Sequence, residues 1–261
     1  MTRDLHRGFS DPRPFPADEL VRFLEEADRL PDMHAVQKAM REAIDPRPGM
    51  RLLDAGCGAG LETARLASEH PDMHVTGLDR NGELLELARR RSPHVEWLEA
   101  DLTDLDLPPA SFDAVRAERV LMYLPDDEFE SVVDSLVELL APGGRLAFFE
   151  LDYGATILAP GGADDEVVDR VTAALYASLP QPQAGRRLPG LLTERGLTDV
   201  TGTPFPLTPS RLVWRWIIKD TVLADSPDPE VADWLEQQED AAARGDFVAV
   251  FTGVLTTATR P

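Results

Sequence analysis

Three glycines, Gly56, Gly58 and Gly60, stand within five residues in the stretch LLDAGCGAG, directly after a short apolar run that reaches Asp54. Glycine lets the backbone turn sharply, and its missing side chain lets a ligand lie against the main chain. A helix beginning where such a loop ends adds free N–H groups and a partial positive charge. The register of the glycines selects among nucleotides. A dinucleotide loop reads G-x-G-x-x-G, whereas the sixth position here is Leu61. A phosphate loop closes on Gly-Lys-Ser/Thr, and that closure is missing. Asp79 ends the run HVTGLD and is placed to accept the two hydroxyls of a ribose. Asp101, in EADLTDL, can receive the exocyclic amine of an adenine while Leu102 packs on the base. Together these groups predict a nucleoside pocket without provision for phosphate.

Such a pocket needs strand ends to carry it. Short apolar runs at 51–56, 74–79, 94–100, 112–118 and 145–151 read as strands covered on both faces. Helical stretches at 60–70, 82–91 and 127–140 lie between most of them. The last has Asp126 or Asp127 as its N-cap and ends at Pro142-Gly143-Gly144. This alternation predicts a parallel sheet with helices on both faces. Ahead of it, residues 1–16 read as an irregular arm, followed by helices at 17–29 and 32–44. Beyond it, helices at 165–179 and 187–195 precede a strand at 198–205. Further helices at 210–224 and 228–243 separate that strand from a final one at 250–259. The closing pair reads as a long-range hairpin with a helical insertion.

The chain has 261 residues, 43% hydrophobic and 28% charged, which fits one large domain or a domain with a lid. Asp and Glu number 47 against 26 Lys and Arg, a formal charge of -21. That surface repels phosphate backbones and anionic headgroups, which argues against nucleic acid and membranes as partners. A single cysteine, Cys57, excludes an internal disulfide and a cysteine-built zinc site. His70 and His74 have a helical metal spacing, but Pro71 breaks it, so no metal is expected. The N-terminal stretch has arginines but no apolar core of a secretory signal, and no uncharged apolar run reaches the ~18 residues of a membrane span. A cytoplasmic location is expected.

The motifs LLDAGCGAG, GLDRN, ADLTDL, FDAVRAERVLMYLPD and LAPGGRLAFFELD, in this order over residues 50–152, resemble a class I S-adenosylmethionine-dependent methyltransferase. AGRRLPGLLTERGLTDV (184–200) is similar to the small-molecule, ubiquinone/menaquinone-biosynthesis-like group, plentiful in bacterial natural-product pathways. The resemblance implies an α/β, Rossmann-like sheet of seven mostly parallel strands with the last antiparallel, and S-adenosylmethionine across the strand C-termini. It divides the chain into a cap of arm and helices, 1–45, and a catalytic domain, 46–261, with a helical lid at about 208–245. It also implies that Gly56, Cys57 and Gly58 line the methionine part, Asp79 the ribose, and Asp101 with Leu102 the adenine. Glu118 and Arg119 would border the sulfonium, Asp54 would orient the loop, and Gln37 or Arg41 would reach the cofactor carboxylate.

Methyl transfer from a sulfonium is an in-line displacement, so the acceptor atom must sit behind the methyl carbon. A hydroxyl gains from a general base, while an amine needs positioning and somewhere to lose a proton. Asp152 and Tyr153, after the fifth strand, are the candidate catalytic groups, with Tyr123 and His34 behind them. Trp214, Trp216 and Phe205, with Phe9 or Phe15, are placed either to wall an acceptor pocket or to pack the lid helices. The reading is methyl transfer to an oxygen or nitrogen, less readily a carbon, of a small organic molecule in secondary metabolism. The alternative is a cofactor-retaining protein of the same fold that does not methylate, such as a cyclase or a small-molecule-binding protein.

Overall fold

The computed structural model describes residues 5–10, 16–160, 165–225, 228–244 and 247–261. Seven strands, β1 (Arg51–Ala55), β2 (His74–Asp79), β3 (Glu96–Glu99), β4 (Phe112–Glu118), β5 (Leu140–Pro160), β6 (Thr198–Leu207) and β7 (Phe247–Thr259), form one sheet. Their order is β3-β2-β1-β4-β5-β7-β6. The first five pair in parallel, and β7 runs antiparallel between β5 and β6. The expected sheet, with its antiparallel last strand, is therefore present. Leu52, Leu53, Ala114 and Val115 are fully buried, as central strands covered on both faces require. The strand order reverses between β1 and β4, and in open α/β sheets that reversal leaves a crevice at the strand C-termini.

Helices α4 (Leu61–Glu69), α5 (Gly82–Arg91) and α6 (Phe129–Leu139) link the parallel strands. Upstream lie α1 (Leu5–Ser10), α2 (Ala17–Asp28) and α3 (Pro31–Ile44). Met33, Val36, Met40 and Ile44, at helical spacing, are buried, and α3 packs on β5 and β4. Downstream, α7 (Asp165–Ala177) and α8 (Ala184–Glu194) precede β6. Between β6 and β7 run α9 (Arg211–Val213), a π-helical stretch (Trp214–Lys219), α10 (Asp220–Asp225) and α11 (Pro229–Arg244). The first helices reach this insertion: α2 contacts α9, and α1 contacts α10 and the π-helical stretch. No helix among the described residues is long and apolar enough to cross a membrane.

Three local expectations need correction. The arm is not wholly irregular, since it holds α1. Neither Asp126 nor Asp127 caps α6: Glu128 stands there without a side-chain cap bond, and Asp126 accepts a hydrogen bond from Gln181 Nε2 at 2.9 Å. The fifth strand is far longer than 145–151, because it pairs with β7 out to Pro160 across a register break between Asp152 and Ile157. Bulged, extended pairing of this kind has no signal in the apolar run alone.

Candidate active site

The glycine loop is held by its backbone. Gly56, Gly58 and Gly60 have φ of 72°, 54° and 68°, a left-handed region that other residues enter at a cost of about 1–2 kcal/mol. A Cβ on Gly56 would lie 2.4 Å from the Val120 side chain. Gly56 and Cys57 donate their N–H groups to the Leu78 carbonyl at 2.7 and 2.9 Å, which fastens the loop to β2.

Asp79 stands where β2 ends. One carboxylate oxygen accepts from the Gly58 N–H and the other from the Asn81 N–H, both at 2.8 Å. The side chain thus couples the loop to the start of α5, and its oxygens keep lone pairs for a diol. Burial raises its pKa, against the pull of those N–H donors. Asp101 accepts from the Thr103 N–H at 3.0 Å and hydroxyl at 2.9 Å, and Arg80 lies 3.8 Å away.

Under the loop, Arg116 joins Asp54 at 3.0 Å and Glu118 at 2.8 Å. Asp54 also accepts the Thr63 hydroxyl at 2.5 Å. Burial opposes the charge on Arg116, but Asp54 and Glu118 outweigh it and hold the guanidinium protonated. Asp54 therefore braces the loop from below, as its expected orienting role requires. Glu118 continues to Arg119 at 2.9 Å.

A cavity of about 540 Å³ opens above these strand ends. Gly56, Gly58, Asp79, Asp101, Leu102, Glu118 and Arg119 all line it. A second cavity of about 70 Å³, which shares Gly56, Gly58, Glu118 and Arg119 with the first, takes Cys57 and Gln37 together with Asp28 and Glu62. Gln37 is engaged there, donating to Asp28 and accepting from Arg65, both at 3.0 Å. Arg41 lines neither cavity and pairs with Glu62. The Cys57 thiol has its pKa pushed well up by burial and lies 3.8 Å from the Gly58 carbonyl.

On the acceptor side, Asp152 and Tyr153 part company. Successive residues of a strand face opposite ways. Leu151 and Tyr153 line the large cavity, whereas the Asp152 carboxylate is paired with Arg186 and accepts the Gly154 N–H at 3.1 Å. Asp152 is thus corrected from a group at the cavity to a partner of α8. Of the expected aromatic wall, Phe9 lines the cavity, joined by Phe23 and Phe251. Trp214 is buried outside it, Trp216 meets Phe23 at 6.2 Å, and Phe205 meets Phe149 at 6.2 Å. Phe15 lies outside the described residues, and His34 lines neither cavity.

The residue that sequence reading missed is His6. Its Nε2 is 3.0 Å from the Tyr153 hydroxyl and its Nδ1 is 3.1 Å from the Tyr123 hydroxyl. All three residues line the cavity, and His6 is only 1% exposed. Burial pushes its pKa down to about 4, so the imidazole is neutral at pH 7. Tyr123 sits on a short turn, Leu121–Tyr123, whose N–H groups at 121 and 122 donate to the Glu150 carboxylate at 2.8 and 3.2 Å. Burial raises the Glu150 pKa to about 7 against those donors. Among the described residues, no group of three or more His, Cys, Asp or Glu is placed to hold a metal ion.

Residues 52–144 match a family described as a methyltransferase domain. Over 62% of this chain and 72% of its relative, the sequence is 31% identical to the O-methyltransferase rstn1 of Aspergillus nomiae. The chain belongs to the class I S-adenosylmethionine-dependent methyltransferases. This methyltransferase is also 34% identical to the 27-O-demethylrifamycin SV methyltransferase of Amycolatopsis mediterranei, over 73% of the chain and 67% of that protein. Other curated relatives match over only 39% and 37% of their own length. In fold, it resembles the [4+2]-cyclase SpnF, with a TM-score of 0.56 and 21% identity over 87% of this chain and 80% of that one.

Proposed function

We propose that this methyltransferase moves the methyl group of S-adenosylmethionine to an oxygen or nitrogen of a small organic acceptor in secondary metabolism of the bacterial natural-product type. The observation that carries the reading is one cavity that runs from the strand ends bearing Asp79 and Asp101 to a lobe lined by Phe9, Tyr123, Tyr153 and Phe251. Pockets of that shape and lining suit small molecules. A formal charge of -21 supports the same choice over nucleic acid or an anionic membrane. The relatives whose names specify oxygen methylation favour oxygen over nitrogen.

The residues present fit the cofactor. Positive-φ glycines leave a cradle without side chains, and the Arg119 Nε is buried without a partner beside it. The donor set has carboxylates where a phosphate ligand would want cations. Asp79 would hold the ribose, Asp101 and Leu102 the adenine, and Gly56, Cys57 and Gly58 the methionine chain. Gln37, through its bonds to Asp28 and Arg65, would order the carboxylate end, and Glu118 with Arg119 would border the sulfonium. When bound, the cofactor supplies an electrophilic methyl carbon. The protein's part is to hold the acceptor atom in line with it and to keep water out. In this reading the described parts of residues 1–45 act as the cap and those of the segment at about 208–245 as the lid, with α2 against α9 and α1 against α10 and the π-helical stretch.

The test is incubation with methyl-labelled S-adenosylmethionine and a panel of phenols, quinols and amines. The expected result is label in at least one product with matching formation of S-adenosylhomocysteine. Tight retention of the cofactor with no label transferred to any acceptor would replace this reading with that of a non-methylating protein on the same fold.

A further inference from the structure

We propose that Tyr123, His6 and Tyr153 form a proton-accepting chain, and that the acceptor is an uncharged aromatic molecule bearing a hydroxyl group. This rests on the methyl-transfer reading above and names the acceptor class and the base.

The geometry is that of a relay. A neutral imidazole has one N–H donor and one bare nitrogen acceptor. Held between hydroxyls at 3.0 and 3.1 Å, it accepts from one tyrosine and donates to the other. All three side chains border the cavity where the acceptor must lie. The His6 ring is tied to its partners by packing as well, with ring centroids 5.8 Å from both tyrosines. Around the relay the walls are aromatic: Phe9 lies 5.6 Å from Tyr123, and Phe251 lies 5.7 Å from Tyr153. Such walls take a flat ring.

The charges along the cavity select a neutral acceptor. Among the described residues, the arginines that line it are Arg80 and Arg119. Arg80 donates to the Phe9 carbonyl at 2.7 Å and faces Asp101, while Arg119 is paired with Glu118. A polycarboxylate would meet Glu118 and Glu128, and among the described residues the lining cations are already engaged with other groups.

In the step, the acceptor oxygen uses a lone pair to bond the methyl carbon. The sulfur is displaced, keeps the electron pair of the broken carbon–sulfur bond and loses its positive charge. The acceptor's proton passes to a tyrosine oxygen as that tyrosine's own proton moves to His6, which becomes imidazolium. One positive charge is lost at sulfur and one is gained at His6, so the net charge of the site is unchanged. His6 is neutral at pH 7, which leaves one ring nitrogen bare to take the proton. Burial opposes the imidazolium, and the loss of the sulfonium charge in the same step offsets that cost.

Two measurements decide the proposal. In the first, His6→Gln keeps hydrogen-bonding capacity but cannot take the proton. For a hydroxyl acceptor found in the labelled panel, kcat should fall ~10²–10⁴-fold with KM and S-adenosylhomocysteine affinity nearly unchanged. The second uses the wild-type chain with ¹⁵N-labelled histidine, saturated with S-adenosylhomocysteine. Adding 4-methylphenol should shift the His6 ring nitrogens, and 4-methylanisole, which lacks the hydroxyl, should not. Retention of kcat in His6→Gln, or His6 signals that stay put or move equally with both probes, overturns the relay while methyl transfer stands. Failure of the wild type to label any hydroxyl acceptor overturns the acceptor class, and failure with every acceptor overturns the methyl-transfer reading itself.

Discussion

Asp79→Ala is expected to weaken S-adenosylhomocysteine binding by about 30- to 1,000-fold while leaving the chain folded. The ribose diol would lose two charge-assisted hydrogen bonds, each worth about 1.5–3 kcal/mol. Water entering the gap restores part of that, leaving about 2–4 kcal/mol, and 1.4 kcal/mol is tenfold in affinity. The same carboxylate also accepts the Gly58 N–H, so the substitution loosens the loop against which the cofactor lies. Stability falls by about 1–3 kcal/mol, because the Gly58 and Asn81 N–H groups lose their acceptor while removal of a buried charge offsets part of that loss. Asp79→Asn keeps one acceptor oxygen and should fall between the two. Calorimetric titration of both folded variants checks the order. Wild-type affinity in Asp79→Ala would place the nucleoside elsewhere.

Arg116→Met should produce the largest loss of stability, about 3–5 kcal/mol. Arg116 is 2% exposed and is the shared partner of Asp54 and Glu118, which lie beneath and beside the glycine loop. Removing it leaves two carboxylates facing each other with the compensating charge gone. Asp54 already has its pKa raised by burial and would be driven further toward the protonated form. Urea unfolding at neutral pH measures the loss. A companion double variant, Arg116→Met with Asp54→Asn, should recover part of it, because one orphaned charge has been removed. Equal stability of Arg116→Met and the wild type would show that the triad does not hold the loop.

The parts of this site that were legible in the sequence are those whose meaning is local. Gly56, Gly58 and Gly60 announce a positive-φ loop because few other residues take that conformation, and all three do so. Asp79 and Asp101 are found by counting to strand ends, and both line the cavity. His6 was illegible for the opposite reason. Its partners are 117 and 147 residues away, and α1, which carries it, spans only six residues. Isolated helices of that length are not stable, so tertiary packing against α2 and the insertion creates this one. The error at Asp152 came from treating residues 152 and 153 as one loop. The strand continues through both, and its alternation sends Tyr153 to the cavity and Asp152 to Arg186. Trp214 and Phe205 take the packing alternative, and the sequence left the choice open because aromatic content marks burial without saying which side of a helix or sheet is buried.

A crystal structure of the S-adenosylhomocysteine complex tests the central claim most directly. The account predicts the ribose hydroxyls on Asp79, the adenine between Asp101 and Leu102, and the sulfur turned toward the lobe lined by His6, Tyr123 and Tyr153. A nucleoside bound away from Asp79, or a sulfur directed away from that lobe, would contradict it.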